Sequence, residues 1–210
     1  MRKTARLLAA ALVCILFSTT ACNKDEKPVK NFLTGFVSAY TDSNGYLSVL
    51  VDDFGKRYPV GNRINTQAPN ASYRLVVLAE MGSDSTLYNL QIIQPIATPA
   101  TEDNMMADSA KVRDPLEVTG AYIGGGFLNI TLKIKTQQEK KTHYLDYSHK
   151  IKHGVHTFKI YHNAYGDKPI YTRDGYLSIP LRSYGLHKND TVSVSYMGYD
   201  GDCVLKVVYR

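Results

Sequence analysis

Phe127-Leu128-Asn129-Ile130-Thr131-Leu132-Lys133-Ile134-Lys135 alternates along its length. Leu128, Ile130, Leu132 and Ile134 point one way, while Asn129, Thr131, Lys133 and Lys135 point the other. Period-two patterning of this kind is that of a strand with one buried and one wet face. Just before it stands Gly124-Gly125-Gly126, and before that the strand-like run Leu116–Ile123. Three glycines between two such runs mark a hairpin turn or bulge. A phosphate loop would need a following helix to supply aligned N–H groups, and here a strand follows.

Downstream the same texture repeats. Thr142–Tyr147, Val155–His162, Tyr171–Leu181, Thr191–Met197 and Val204–Tyr209 are rich in Val, Ile, Thr and Tyr, and Gly, Asn, Asp and Pro punctuate them. About seven short strands at close spacing predict an antiparallel β-sandwich over residues 116–210. Upstream, Phe32–Tyr40, Tyr46–Asp52, Lys56–Val60, Ser72–Ala79 and Leu87–Ile93 read as five more strands. Faces are assigned by alternation: Leu47, Val49 and Val51; Tyr73, Leu75 and Val77; Tyr88, Leu90 and Ile92. Asp52-Asp53 resembles a carboxylate pair, but adjacent strand residues face opposite ways and Asp53-Phe54-Gly55 is a turn signature. Five short strands suit a small barrel over residues 32–94, since closure removes exposed edges. Between the two halves, 95–115 is polar, holds three prolines and lacks a period, so it reads as a linker.

The N-terminus has a different character. Arg2, Lys3 and Arg6 precede an apolar run, Leu7 to Phe17, and then Ser18-Thr19-Thr20-Ala21-Cys22. This is the charged, apolar and small-residue order of a secretory signal. The run is too short to cross a bilayer, which takes about 20 residues. Thr19-Thr20-Ala21-Cys22 resembles the site where lipoprotein signal peptidase cuts, with Thr19 where Leu is commonest. Residues 1–21 are therefore expected to be removed and Cys22 lipidated, with 22–31 a tether. Two or more acyl chains make anchoring stable where one is marginal. Lys24-Asp25-Glu26 resembles the surface-export signal of lipoproteins in one group of gut Gram-negative bacteria. The expected location is the outer membrane, exposed at the cell surface. Asp108-Ser109-Ala110 resembles the O-glycan acceptor sites of the same bacteria, with Ser109 as acceptor.

Cleavage removes three of the 25 basic residues and none of the 19 acidic ones. The mature chain is thus only weakly basic, which argues against a nucleic-acid partner. Cys14 leaves with the signal and Cys22 carries the lipid, so Cys203 is alone and no internal disulfide is expected. Alternation puts Cys203 on a face with Leu205, Val207 and Tyr209, as a small buried hydrophobe rather than a reactive thiol.

Five of the six histidines fall between 143 and 162. His156 and His162 share a strand face, but six residues of strand span roughly 20 Å, too far for one ion. His149 and His153 are the pair that a turn can bring together, with Asp146 and Asp167 the nearest carboxylates, and no tetrahedral set is apparent. No metal, no cofactor and no catalytic residue is expected, because no nucleophile–base arrangement appears. The 16 tyrosines stand beside no tryptophan. Most are strand residues, while Tyr165, Tyr171, Tyr176, Tyr184, Tyr196 and Tyr199 lie where a recognition surface would use them.

Several stretches together resemble the NigD-like lipoproteins. They are Gly45-Tyr46-Leu47 through Asp52-Asp53-Phe54-Gly55, Asp114-Pro115-Leu116 leading to Tyr122-Ile123-Gly124-Gly125-Gly126-Phe127-Leu128-Asn129-Ile130, Tyr161-His162-Asn163-Ala164-Tyr165-Gly166-Asp167, and Gly175-Tyr176-Leu177-Ser178-Ile179-Pro180-Leu181. The resemblance covers nearly all the mature chain. It implies an all-β protein, an OB-like five-stranded barrel followed by a β-sandwich. It implies no catalytic residues, and a role suggested as bacteriocin immunity. The expected function is a non-enzymatic surface binding module with a toxin as protein partner, or an accessory lipoprotein for glycan binding or surface assembly.

Overall fold

Val, Ile, Leu and Tyr at alternate positions build strands wherever residues are described in this computed structural model, namely 30–99, 111–137 and 141–210. The signal segment, Cys22, Lys24-Asp25-Glu26 and Ser109 lie outside the described residues.

The first sheet holds β1 (Asn31–Thr41), β2 (Leu47–Asp52), β3 (Arg57–Pro59), β4 (Ser72–Met81) and β5 (Leu87–Pro95) in the order β3-β2-β1-β4-β5. The two ends of this sheet approach one another at a single parallel bridge, Val60↔Leu87. Gly61 N–H donates to Leu87 O there at 2.7 Å. The sheet is therefore curled like a small barrel and joined at one point, not along a full ladder. Val37, Ala39, Leu50, Leu75, Val77 and Leu87 fill its interior.

Two of the face assignments need correction. A register shift between Tyr40 and Thr41 makes Ser48 an extra residue opposite β1. The parity changes there, so Leu47 and Leu50 are buried while Val49 and Val51 are only partly so. In β5 the left-handed φ of 50° at Asn89 breaks the alternation. Leu87 and Leu90 point inward, and Tyr88 and Ile92 are exposed. In β4 the assigned face holds, with Leu75 and Val77 in the core and Tyr73 packed against it, and Arg74 and Val76 on the opposite face are buried as well.

The second half has two sheets. One is β10 (Tyr171–Pro180), β7 (Phe127–Thr136) and β6 (Glu117–Gly124), in that order. The other is β12 (Gly201–Val208), β11 (Thr191–Gly198), β9 (Val155–Asn163) and β8 (Tyr144–Lys152). Leu128, Ile130, Leu132 and Ile134 of β7 face Tyr147, Phe158, Ile160, Val192 and Val194 across one apolar core. Burying a Leu or Ile side chain contributes roughly 1.5–3 kcal/mol, so this seam dominates the stability of the sandwich.

The sandwich is not antiparallel throughout. β9 and β11 pair in parallel, Val192 against His156 and Val194 against Phe158. The intervening β10 lies in the other sheet, so the chain crosses the core twice before β11 and returns in the direction of β9. The segments bounding 95–115 are also less loose than their composition implies. Ile96 is buried. Ala97 bridges Leu177 of β10, and Arg113 bridges His162 of β9.

Candidate functional site

Asp53 sits in the turn that joins β2 to β3. The neighbouring carboxylate, Asp52, shapes that turn by accepting bonds from the N–H groups of Phe54 (3.0 Å) and Lys56 (2.9 Å). Asp53 itself points toward the second half. It pairs with Arg74 of β4. It also accepts bonds from Tyr122 Oη at 2.6 Å and Asn129 Nδ2 at 3.0 Å. Arg74 donates further to Asn129 Oδ1 (2.9 Å), Ser38 Oγ (3.3 Å) and Ser178 Oγ (3.4 Å). Its guanidinium lies over the Phe127 ring, 4.6 Å from the centroid. The Tyr122 hydroxyl titrates well above the usual tyrosine range, because burial and then the Asp53 carboxylate disfavour the phenolate.

This cluster overturns one face assignment. Alternation puts Asn129 on the wet side of β7, yet it is 0 % exposed. Arg74, Asp53 and Ser178 cover it. The exposed face of β7 begins only at Lys133. A cavity of about 480 Å³ beside Arg74 is lined by Ser38, Tyr40, Ser72, Thr98 and Arg182 among others.

Four of the six histidines form two pairs. His149 Nε2 lies 3.0 Å from His156 Nδ1, across the β8–β9 ladder. The expected partner, His153, instead occupies the two-residue turn with Gly154, at φ of 49° and 76°. Left-handed φ at both positions is the hairpin geometry that matches strand twist. The second pair is His143 and His162, with Nδ1 and Nε2 2.8 Å apart. His143 Nε2 reaches Asp167 Oδ2 at 3.0 Å, and Thr136 Oγ1 donates to the same oxygen at 2.5 Å. His162 Nδ1 faces the carbonyls of Asp114 and Pro115. Burial, then the charge of His143, holds His162 below the usual histidine range. The Thr136 hydroxyl bond, ahead of that from His143, holds the Asp167 carboxyl well below the usual carboxylate range. Both ring nitrogens of His143 and of His162 have protein partners. Among the described residues, no group of three or more His, Cys, Asp or Glu side chains could hold a metal ion.

The loop after β9 carries the most unusual backbone of the sandwich. Tyr165 has φ of 50°, which is rare for a bulky residue. Asn163 Oδ1 accepts its N–H at 2.8 Å. Gly166 continues at φ of 69°, and Asp167 N–H closes on Ala164 O at 3.0 Å. The result presents the Tyr165 side chain 60 % exposed. Tyr165 stands at a cleft of about 330 Å³, shared with Lys111, Val112, Tyr144, Asp146, Tyr161 and Asn163. Tyr144 is 50 % exposed and Tyr161 is buried. Lys111 Nζ meets Asp146 Oδ2 at 3.1 Å, and both side chains are almost fully buried. Burial, then the charge of Asp146, raises the Tyr144 hydroxyl above its ordinary value, so it stays a donor. On the far side of the same loop, His162, Asp167, Lys135 and Tyr199 line a second cavity of about 250 Å³.

Of the six tyrosines set aside for recognition, only Tyr165 enters this cleft. Tyr184 is buried, its hydroxyl 2.8 Å from that of Tyr147. Tyr176 packs edge-on against Phe36, with centroids 5.5 Å apart. Tyr144 and Tyr161 were not singled out. They precede the turn-rich segments, and alternation alone marks them as ordinary strand residues. Cys203 keeps its assigned face but is partly exposed rather than buried, because β12 is an edge strand of its sheet.

Solved structures share this architecture. A NigD-like immunity protein from Bacteroides caccae is 25 % identical, with a TM-score of 0.61 over 86 % of this chain and 92 % of that one. A candidate toxin-related protein from Parabacteroides distasonis is 22 % identical, with a TM-score of 0.66 over 86 % and 94 %. A candidate lipoprotein from Bacteroides fragilis is 10 % identical, with a TM-score of 0.59 over 86 % and 98 %. No curated protein matches the chain. The family of NigD-like C-terminal β-sandwich domains matches residues 98–207, more than half of the sequence, and the chain belongs to the NigD-like family.

Proposed function

We propose that this chain is a non-catalytic binding module, exported and held at the outer membrane by lipid on Cys22, whose ligand occupies the tyrosine-rimmed cleft. The observation that carries the reading is Tyr165. A bulky side chain on a left-handed backbone costs roughly 1–2 kcal/mol, and here it is spent on exposing an aromatic ring. Strain at a surface residue points to function rather than folding. The hydrogen bonds of His143 and His162 are closed among protein groups, which suits a supporting role for them.

Immunity is the service suggested by the name of the Bacteroides caccae relative, through capture of a toxin at the surface. Affinity capture from intact cells, with wild type against Tyr165→Ala, tests the module. Retention of a partner by wild type and its loss in the variant supports the reading; equal retention removes the cleft from it. The anchor is tested separately. Cys22→Ala is expected to move the protein from the detergent to the aqueous phase on phase partition. A variant that still partitions as wild type does would place the anchor elsewhere.

A further inference from the structure

We propose that the cleft between Tyr144 and Tyr165 binds a neutral sugar, with a ring face stacked on tyrosine and hydroxyls held by Asp146 and Asn163. The inference rests on the cleft being the binding site and names the chemistry of its ligand.

Charge decides first. The floor carries one cation and one anion, Lys111 and Asp146, 3.1 Å apart and nearly dry. An anionic ligand gains from Lys111 what it loses to Asp146, and a cationic ligand the reverse. A cation meets a further obstacle. The Tyr161 ring already has the ammonium of Lys111 at 4.8 Å and that of Lys159 at 5.4 Å, so its face is not an open cation site. A neutral ligand is the one that incurs no uncompensated charge.

Hydrogen-bonding capacity decides next. Asp146 accepts the Tyr147 N–H at 2.8 Å and the Lys111 ammonium. A carboxylate has about four acceptor sites, so about half remain. Asn163 uses its carbonyl oxygen for Tyr165 N–H, which leaves its amide group to donate. The Tyr144 hydroxyl, kept protonated, can donate or accept. Acceptors and donors thus stand side by side over an apolar wall of Val112 and tyrosine rings. A sugar has the matching pattern, hydroxyls that do both and a C–H face that packs on an aromatic ring. The volume, about 330 Å³, is at the small end of ligand pockets and suits one or two sugar rings. A folded protein partner needs about 800 Å² of surface on each side, so a toxin captured here would have to present a group small enough to enter the cleft.

Saturation-transfer NMR on the detergent-solubilised full chain tests this with maltotriose, xylotriose and diacetylchitobiose, against galacturonic acid and glucosamine as charged counterparts. At least one neutral sugar should receive transfer from tyrosine ring protons. Tyr165→Ala and Tyr144→Ala, each checked for an unchanged circular dichroism spectrum, should each weaken it at least tenfold. No transfer to any neutral sugar, tighter binding of a charged one, or indifference to both substitutions would overturn the inference. If sugars fail while a protein partner is retained in a Tyr165-dependent way, the cleft is a peptide site and only this inference falls. If neither binds, the assignment of the cleft as a binding site falls with it.

Discussion

Asp53 and Arg74 form a buried ion pair whose remaining bonds all go to named partners: Tyr122, Asn129, Ser178 and Ser38. Removing one member strands the other without water. Asp53→Ala is therefore expected to cost about 3–5 kcal/mol, measured as a lower midpoint of urea unfolding. Arg74→Leu combined with Asp53→Ala should cost clearly less than the two single changes added, since no charge is then left unpaired. Two other groups set the acid response. His162 is held below 6.5, so the unfolded chain takes up its proton first, and stability falls as pH drops from about 6.5 towards the folded value. Asp167 is held below 3.8, so its contribution is complete above that value and is lost as pH falls through the folded one. Unfolding midpoints from pH 7.5 to 3 should fall in two stages, with Asp167→Asn removing the lower stage. A flat profile in the Asp167→Asn protein down to pH 5 would show that His162 does not contribute. Tyr165 supplies the opposite case. Asn tolerates left-handed φ far better than Tyr, so Tyr165→Asn should leave the unfolding midpoint unchanged or raise it, by up to about 1 kcal/mol, while abolishing ligand retention.

The β6–β7 hairpin joins the two halves through its glycines. Gly125 and Gly126 have φ of 62° and 83°. A Cβ at Gly125 would lie 2.5 Å from Asp53 Oδ1, whereas at Gly126 nothing lies within 4 Å. Gly126→Ala should cost only the backbone term, about 1–2 kcal/mol. Gly125→Ala should cost more, because Asp53 must also shift out of its ion pair. Equal midpoints for the two variants would mean that the turn does not bear on Asp53. Alternation made β7 and its buried face legible, along with the hairpin and most strand positions, because each depends on local periodicity and turn chemistry. The faces of β2 and β5 were not legible. A bulge opposite Tyr40 and the left-handed Asn89 each reverse parity, and no residue pattern announces them. Asn129 was misread for a related reason: the group that buries it comes from a strand 55 residues away in sequence. The glycine run was legible as a turn, but its second purpose, admitting Asp53, required the partner's position. Tyr144 and Tyr161 are not legible because a cleft is a property of four segments at once, β8, β9, the loop that follows it and the residues around Lys111.

Over the whole chain, the two apolar cores are separate, yet the surface between them is sealed by buried charge. Two of the stretches that carry the family resemblance, Asp52-Asp53-Phe54-Gly55 and Tyr122 to Ile130, are the two sides of that seal. They hold the halves in register and do not line the proposed cleft, which belongs to the sandwich side and its Tyr161–Asp167 stretch. This arrangement sets the expected consequence of cutting between the halves. Ile96 N–H donates to Arg74 O of the first sheet at 2.9 Å, while Ala97, Asp114 and Leu116 are tied to the sandwich: Ser178 N–H donates to Ala97 O at 2.9 Å, Asp114 N–H to His162 O at 2.9 Å and Leu116 N–H to Met197 O at 2.9 Å. Backbone held in this way resists proteases, which need an extended, accessible segment. The polar sequence from Pro99 to Ala110 is then the expected site of nicking. The fragments should remain together on size exclusion in low salt and after dilution, since separating them exposes Arg74, Asp53, Asn129 and Phe127 at once. Expressed alone, the sandwich should fold and keep the cleft, because Lys111, Tyr144, Asp146, Tyr161 and Tyr165 all lie within residues 98–207. The first half alone should unfold at lower urea than it does in the intact chain, with Arg74 and Asp53 deprived of Asn129 and Ser178. Nicked fragments that separate freely, each as stable as before, would show that the buried charges at the seal contribute little and that the halves are independent units on a string.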